Sequence, residues 1–106
     1  MDFQQSQTYQ NVQFVLSELF ETHSLLNIFE TIAYEEVLIQ ISFLFNTSAR
    51  NIRYITNALY NILYGKTSTL ENLEFARARE DDELRKYRDY SVIALEEGFD
   101  DIASIL

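Results

Sequence analysis

Cysteine, proline and tryptophan are absent from this 106-residue chain, glycine occurs twice and histidine once. Without cysteine there is no disulfide framework, no thiolate metal site and no Cys nucleophile. A single histidine, His23, excludes a multi-histidine metal site within one chain. The lack of proline and near-lack of glycine removes the turn punctuation on which an all-β fold depends, leaving long helices. Basic residues are scarce: 8 Lys and Arg stand against 17 Asp and Glu, a net charge of −9. Such a surface repels phosphate backbones, so nucleic acid is not an expected partner. No apolar run approaches the ~20 residues of a membrane span. The longest, Val37 to Phe45, is broken by Gln40 and Ser42. Met1 to Gln13 is polar, carries no Lys or Arg and does not read as a secretory signal, so the expected location is cytoplasmic, without membrane. Glycine-rich phosphate loops, nucleophile elbows and zinc-protease motifs are missing as well.

What is present is apolar. Hydrophobic residues make up 47% of the chain, with 7 Tyr and 8 Phe, enough to offset chain entropy in one domain over residues 1–106. Three long helices and a short fourth are legible. From about Gln10 to Ala33, the residues Val12, Val15, Leu16, Leu19, Leu26, Phe29 and Ala33 recur at helical steps. From about Glu36 to Tyr64, Val37, Ile41, Leu44, Phe45, Ile52, Ile55, Leu59 and Ile62 do the same. Asn46-Thr47-Ser48 marks an expected bend, and Gly65 a stop. A third helix starts at the capping box Ser68-Thr69-Leu70-Glu71 and runs to about Glu97, before Gly98.

An internal repeat links the halves at an offset of 61. Residues 8–45 laid over 69–106 share eight identities, clustered at the ends: Thr8/Thr69, Asn11/Asn72 and Phe14/Phe75, then Ile32/Ile93, Ala33/Ala94, Glu35/Glu96, Glu36/Glu97 and Ile41/Ile102. The expected architecture is therefore two duplicated helix hairpins, 8–64 and 67–106, in an antiparallel all-α bundle whose fourth helix is truncated. Phe99 to Leu106 would span only about 12 Å as a helix. A groove where the rest of a fourth helix belongs would be apolar and open, and a homodimer or higher oligomer is the expected way to cover it.

Two carboxylates stand out. Glu80 and Glu83 lie three apart on the third helix, Glu80 on the stripe defined by Leu73, Ala76, Leu84, Tyr87, Ser91 and Ala94, and Glu83 at its edge. That spacing aims both at one point, as an oxygen-ligated metal requires. A solvated face paired with Arg77, Arg79 and Arg85 accounts for them equally simply. His23, between Leu19 and Leu26, reads as a hydrogen-bonded residue at the core edge, and the tyrosines read as packing.

The run Thr69 to Leu73, with Glu80-Asp81-Asp82-Glu83, Tyr87 and Ile93-Ala94-Leu95-Glu96-Glu97-Gly98-Phe99-Asp100-Asp101-Ile102-Ala103, resembles the second half of rubrerythrin-type ferritin-like domains. Ala33-Tyr34-Glu35-Glu36 and Gln40-Ile41 resemble the first half more weakly. The resemblance implies a ferritin-like bundle holding two iron or manganese ions for peroxide or dioxygen reduction, with Glu80 and Glu83 as third-helix ligands. The other ligand positions depart from the pattern. The first-helix position falls near Leu19, or on Glu18 with a one-residue slip, and the second-helix Glu-x-x-His falls at Ile52 to Ile55. Leu19, Ile52 and Ile55 are expected to fill the space of lost ligands. The functional expectation is a domain with a largely lost di-metal site that acts through self-association or partner binding, without enzymatic activity of its own. The alternative is one part of a di-iron or manganese oxidoreductase completed by residues outside this chain.

Overall fold

The computed structural model describes residues 1–106 and contains only helices: a 3₁₀ turn at Phe3–Gln5, then α1 (Gln7–Glu35), α2 (Ile39–Tyr64), α3 (Thr69–Glu96) and α4 (Asp100–Ile105). The contacts divide the chain into two units, Met1–Lys66 with α1 and α2, and Thr67–Leu106 with α3 and α4.

In the first unit α1 begins at Gln7, three residues before the expected start at about Gln10. The Ser6 hydroxyl accepts the Tyr9 N–H at 3.1 Å, satisfying one of the donors a helix start leaves bare. The rings of Phe3 and Tyr9 meet edge to face at 5.4 Å and anchor the 3₁₀ turn against that first helical turn. α2 starts at Ile39 rather than Glu36, because Glu36 to Leu38 are spent on reversing the chain. It also runs unbroken through the polar triplet expected to bend it. Thr47 returns its hydroxyl to the Phe43 carbonyl at 3.0 Å, and the Asn46 amide donates to the Glu30 carboxylate at 3.2 Å, so these polar groups are satisfied within a helical path.

The α1–α2 seam is narrow. Leu16, Ala33, Ser42, Ala49, Thr56 and Leu63 are its buried members, with Val12, Leu19, His23, Leu26, Glu30, Phe45, Ile52 and Leu59 half-buried between them. Their alternating steps of three and four are those of a coiled-coil seam, the hydrophobic solution for two helices lying side by side. Near the turn the seam is built from small residues, so the backbones come close: the Ser42 hydroxyl reaches the Glu30 carbonyl at 3.1 Å. Phe29 and Phe45 close one flank with ring centroids 5.7 Å apart. Leu19 and Ile52 do line this seam. Ile55 does not fill a core as expected; it is 50% exposed, because it sits one helical step to the side of Ile52 and Thr56.

The two reversals are built alike. At the first, the Val37 N–H donates to the Tyr34 carbonyl at 3.0 Å and the Leu38 N–H to the Ala33 carbonyl at 2.8 Å. At the second, Gly98 donates to Leu95 at 3.1 Å and Phe99 to Ala94 at 2.8 Å. Both are Schellman motifs, which require a left-handed residue just past the helix. Gly98 fills that place at φ +87°, whereas Val37 fills it at φ +64°, where a β-branched side chain is strained by about 1–2 kcal/mol.

In the second unit the capping box forms as the sequence predicts. The Ser68 hydroxyl accepts from the Glu71 N–H at 3.1 Å, and the Ser68 N–H donates to the Glu71 carboxylate at 3.3 Å. α4 is six residues long and packs only against the end of α3, where Ala94 and Ala103 are buried and the Ser91 hydroxyl donates to the Ala103 carbonyl at 2.8 Å.

Val37→Gly should therefore raise stability by about 1 kcal/mol, the relief of left-handed strain less the added freedom of the unfolded glycine. The reciprocal change Gly98→Val should lower it by a similar amount. No atom lies within 4 Å of the position a Cβ would take at Gly98, so the cost there is one of backbone conformation alone. Urea denaturation of the two variants checks both signs.

Candidate functional site

α3 places Glu80 and Glu83 one turn apart on the same face, and with Leu84 and Tyr87 they line an open hollow of about 300 Å³. The helix forms here through local charge pairing rather than burial. Arg79 Nε donates to Glu83 Oε1 at 3.2 Å, one turn along the helix. Asp82 bridges Lys86 at 3.0 Å and Arg85 at 3.6 Å. The hydrogen bond from Lys86, then its charge, holds the Asp82 carboxyl below its ordinary pKa, and the same bond and the Asp82 charge hold the Lys86 ammonium above its own. All of these groups are exposed enough that each pair contributes little to stability.

Glu80 was expected on a buried stripe, and here the structure differs. The stripe itself exists: Leu70, Leu73, Arg77, Glu80, Leu84, Tyr87, Ser91 and Ala94 follow one another at steps of three and four. Only its last residues are covered. Leu73, Leu84 and Tyr87 are exposed, Glu80 is exposed with them, and Glu83 is half-exposed. The reason is length, since six residues of α4 cover the final turns of α3 and nothing further along it. Neither carboxylate thus carries the desolvation cost that would have demanded a cation.

As a metal centre the pair is incomplete. Glu83 is already engaged by Arg79, and nowhere do three or more His, Asp or Glu side chains come together to hold an ion. Two carboxylates do not fit the donor set of a dinuclear site, which needs several carboxylates and imidazoles around each pair of ions. No chemical step follows from them.

His23 lies on the seam of the first unit. Its Nδ1 stands 3.4 Å from the Asn27 side-chain amide, while Nε2 is shielded from water and has no hydrogen-bond partner. This orphaned nitrogen, the strained Val37 and the two serines that cross between helices, Ser42 and Ser91, are features the residue pattern did not single out. The repeat contained the signal for one of them: Val37 stands at the place of Gly98. No helix is long and apolar enough to cross a membrane.

No family model, curated protein or solved structure matches this chain.

Replacing His23 by Leu should raise stability by about 1 kcal/mol, because a buried nitrogen without a partner gives way to a side chain that suits the seam. A chemical denaturation midpoint that falls instead would mean that Nε2 is solvated. Glu83→Gln, which breaks the exposed pair with Arg79, should change stability by no more than about 0.5 kcal/mol in the same measurement.

Proposed function

We propose that this chain is a helical association module of rubrerythrin-like descent, with a di-metal site largely lost, that acts by binding itself or another protein. The observation that carries this reading is the uncovered stripe of α3. Leu73, Leu84 and Tyr87 continue the line of Ser91 and Ala94, yet lie beyond the reach of α4 and are 63%, 62% and 41% exposed. These apolar residues, interrupted on the same line by Arg77 and Glu80, favour a docked partner over solvent. The matching reversals at Val37 and Gly98, 61 residues apart, support a duplicated hairpin as the ancestral unit. Self-association places the protein in the class of structural or interaction proteins, and a cytoplasmic location fits the absence of cysteine.

A second reading has one observation in its favour. Glu80 and Glu83 share one hollow, so they are placed to serve as part of an iron or manganese site in a peroxide- or dioxygen-reducing enzyme whose remaining ligands come from another chain. One experiment separates the two. The purified chain, saturated with Fe(II) or Mn(II) under reducing conditions and desalted, should retain well below one metal per chain and consume no peroxide. Stoichiometric metal that is lost in Glu80→Ala, with turnover, would replace the first reading by the second. Light scattering over a range of concentrations should show a molar mass above that of one chain; a constant monomer mass would remove self-association.

A further inference from the structure

We propose that the first hairpin pairs with the first hairpin of a second copy of this chain to close a four-helix bundle. The proposal rests on the association reading above and gives it a surface and an occupant. In an antiparallel helix pair, residues one step to the same side of the two seams share one broad side of the pair. On one such side α1 presents Leu25, Phe29 and Ile32, and α2 presents Ile41, Leu44 and Ile55. These six are 41–63% exposed, and Val15 and Ile62 extend the face toward the open end. Thr22 and Ser48 interrupt it without charge, and Glu18 is the one charged side chain upon it. The opposite broad side is mixed: Ser17, Ser24 and Thr31 from α1 and Arg50, Arg53 and Asn57 from α2 alternate there with the aromatics Phe20, Tyr34, Phe43 and Tyr64, all exposed.

Area and length select the occupant. With its members 41–63% exposed, the face offers apolar surface on the order of several hundred Å², comparable to the largest patches on monomers and approaching the ~800 Å² each partner covers in a standard interface. It runs for about 25 Å along each helix. The equivalent positions of α3 do not supply a partner surface of that length. Sixty-one residues beyond Glu18, Thr22 and Leu25 stand Arg79, Glu83 and Lys86, which are held in the ion pairs Arg79–Glu83 and Asp82–Lys86. Another first hairpin offers a face of matching length and mostly apolar character, and two identical faces meeting across a two-fold axis cover each other. Such packing is that of a four-helix bundle assembled from two helix pairs.

Analytical ultracentrifugation of the intact chain tests this. A dimer is expected, and it should tighten as salt is added, because salt screens the repulsion between two chains of charge −9 while leaving an apolar contact intact. The double variant Ile32→Glu/Ile55→Glu should raise the dissociation constant on the order of 100-fold or more. Leu44→Ser, at a position too exposed to disturb the seam, should raise it by a smaller factor with unchanged circular dichroism. Phe43→Glu, on the opposite broad side, should leave it unchanged. A dimer that survives the first two changes but is lost in Leu84→Glu would overturn this interface and leave the association reading standing. A wild-type chain that is monomeric at every concentration would overturn both.

Discussion

Each unit depends on reversing a helix within three residues while keeping its last carbonyls bonded. The hydrogen bond from Leu38 to Ala33, and its counterpart from Phe99 to Ala94, does this at 2.8 Å in both places. The bond fixes where the next helix starts and therefore which residues face each other. Ser42 comes opposite Glu30 in one unit and Ser91 opposite Ala103 in the other, each donating a hydroxyl to a carbonyl across the gap. The donor changes helix between the units while the place of the bridge does not. Small residues at Ala33, Ala49, Ala94 and Ala103 follow from that geometry, since two backbones close enough for such a bond leave no room for larger side chains.

Close approach limits how much each pair buries. Leu16 is the one large side chain buried to 3% exposure, and the other well-buried positions are mostly Ala, Ser and Thr. At roughly 25 cal/mol per Å² of apolar surface, a seam of small residues yields modest stabilisation for helices of 26 to 29 residues. Much of the apolar content is consequently displayed, and Leu25, Phe29, Ile32, Ile41, Leu44 and Ile55 lie together on one broad side of the first hairpin. With 47% hydrophobic residues in its composition, the chain buries few of them within either unit.

Helix identity was legible because it rests on local periodicity. The capping box at Ser68 and the stop at Gly65 were legible because each is a short-range hydrogen-bonding device. The start of α1 at Gln7 was less so, since its cap, Ser6, lies outside the apolar pattern. Burial was the part that misled. Period alone places Glu80 on a stripe and Ile55 among apolar neighbours, but it does not say how far a partner helix extends or which of two adjacent apolar lines becomes the seam. In the second unit α4 stops covering α3 before Glu80 is reached; in the first, Ser42, Ala49 and Thr56 form the seam and Ile41 and Ile55 are turned aside. The small, partly polar line was chosen over the larger, greasier one because only small residues permit the close turn.

That choice also decides which side chains are directed inward. A metal-holding bundle needs carboxylates directed inward from several helices, and inward positions are defined by the seam. In the first unit the seam carries the apolar Leu19 and Ile52, and its polar members are already committed: Glu30 to Asn46, Ser42 to a carbonyl, Thr56 to the Ile52 carbonyl at 2.7 Å. His23 is the one seam residue with an uncommitted nitrogen, and no carboxylate joins it in a group of three. Polar groups satisfied by backbone and amide partners have no electrostatic need of a cation. Outside the seams, the uncovered line on α3 and the broad side of the first hairpin are bounded by acidic and salt-bridged neighbours. A contact made by such surfaces draws its free energy from removing apolar area from water, and the surrounding negative charge sets which partners can come close enough to make it.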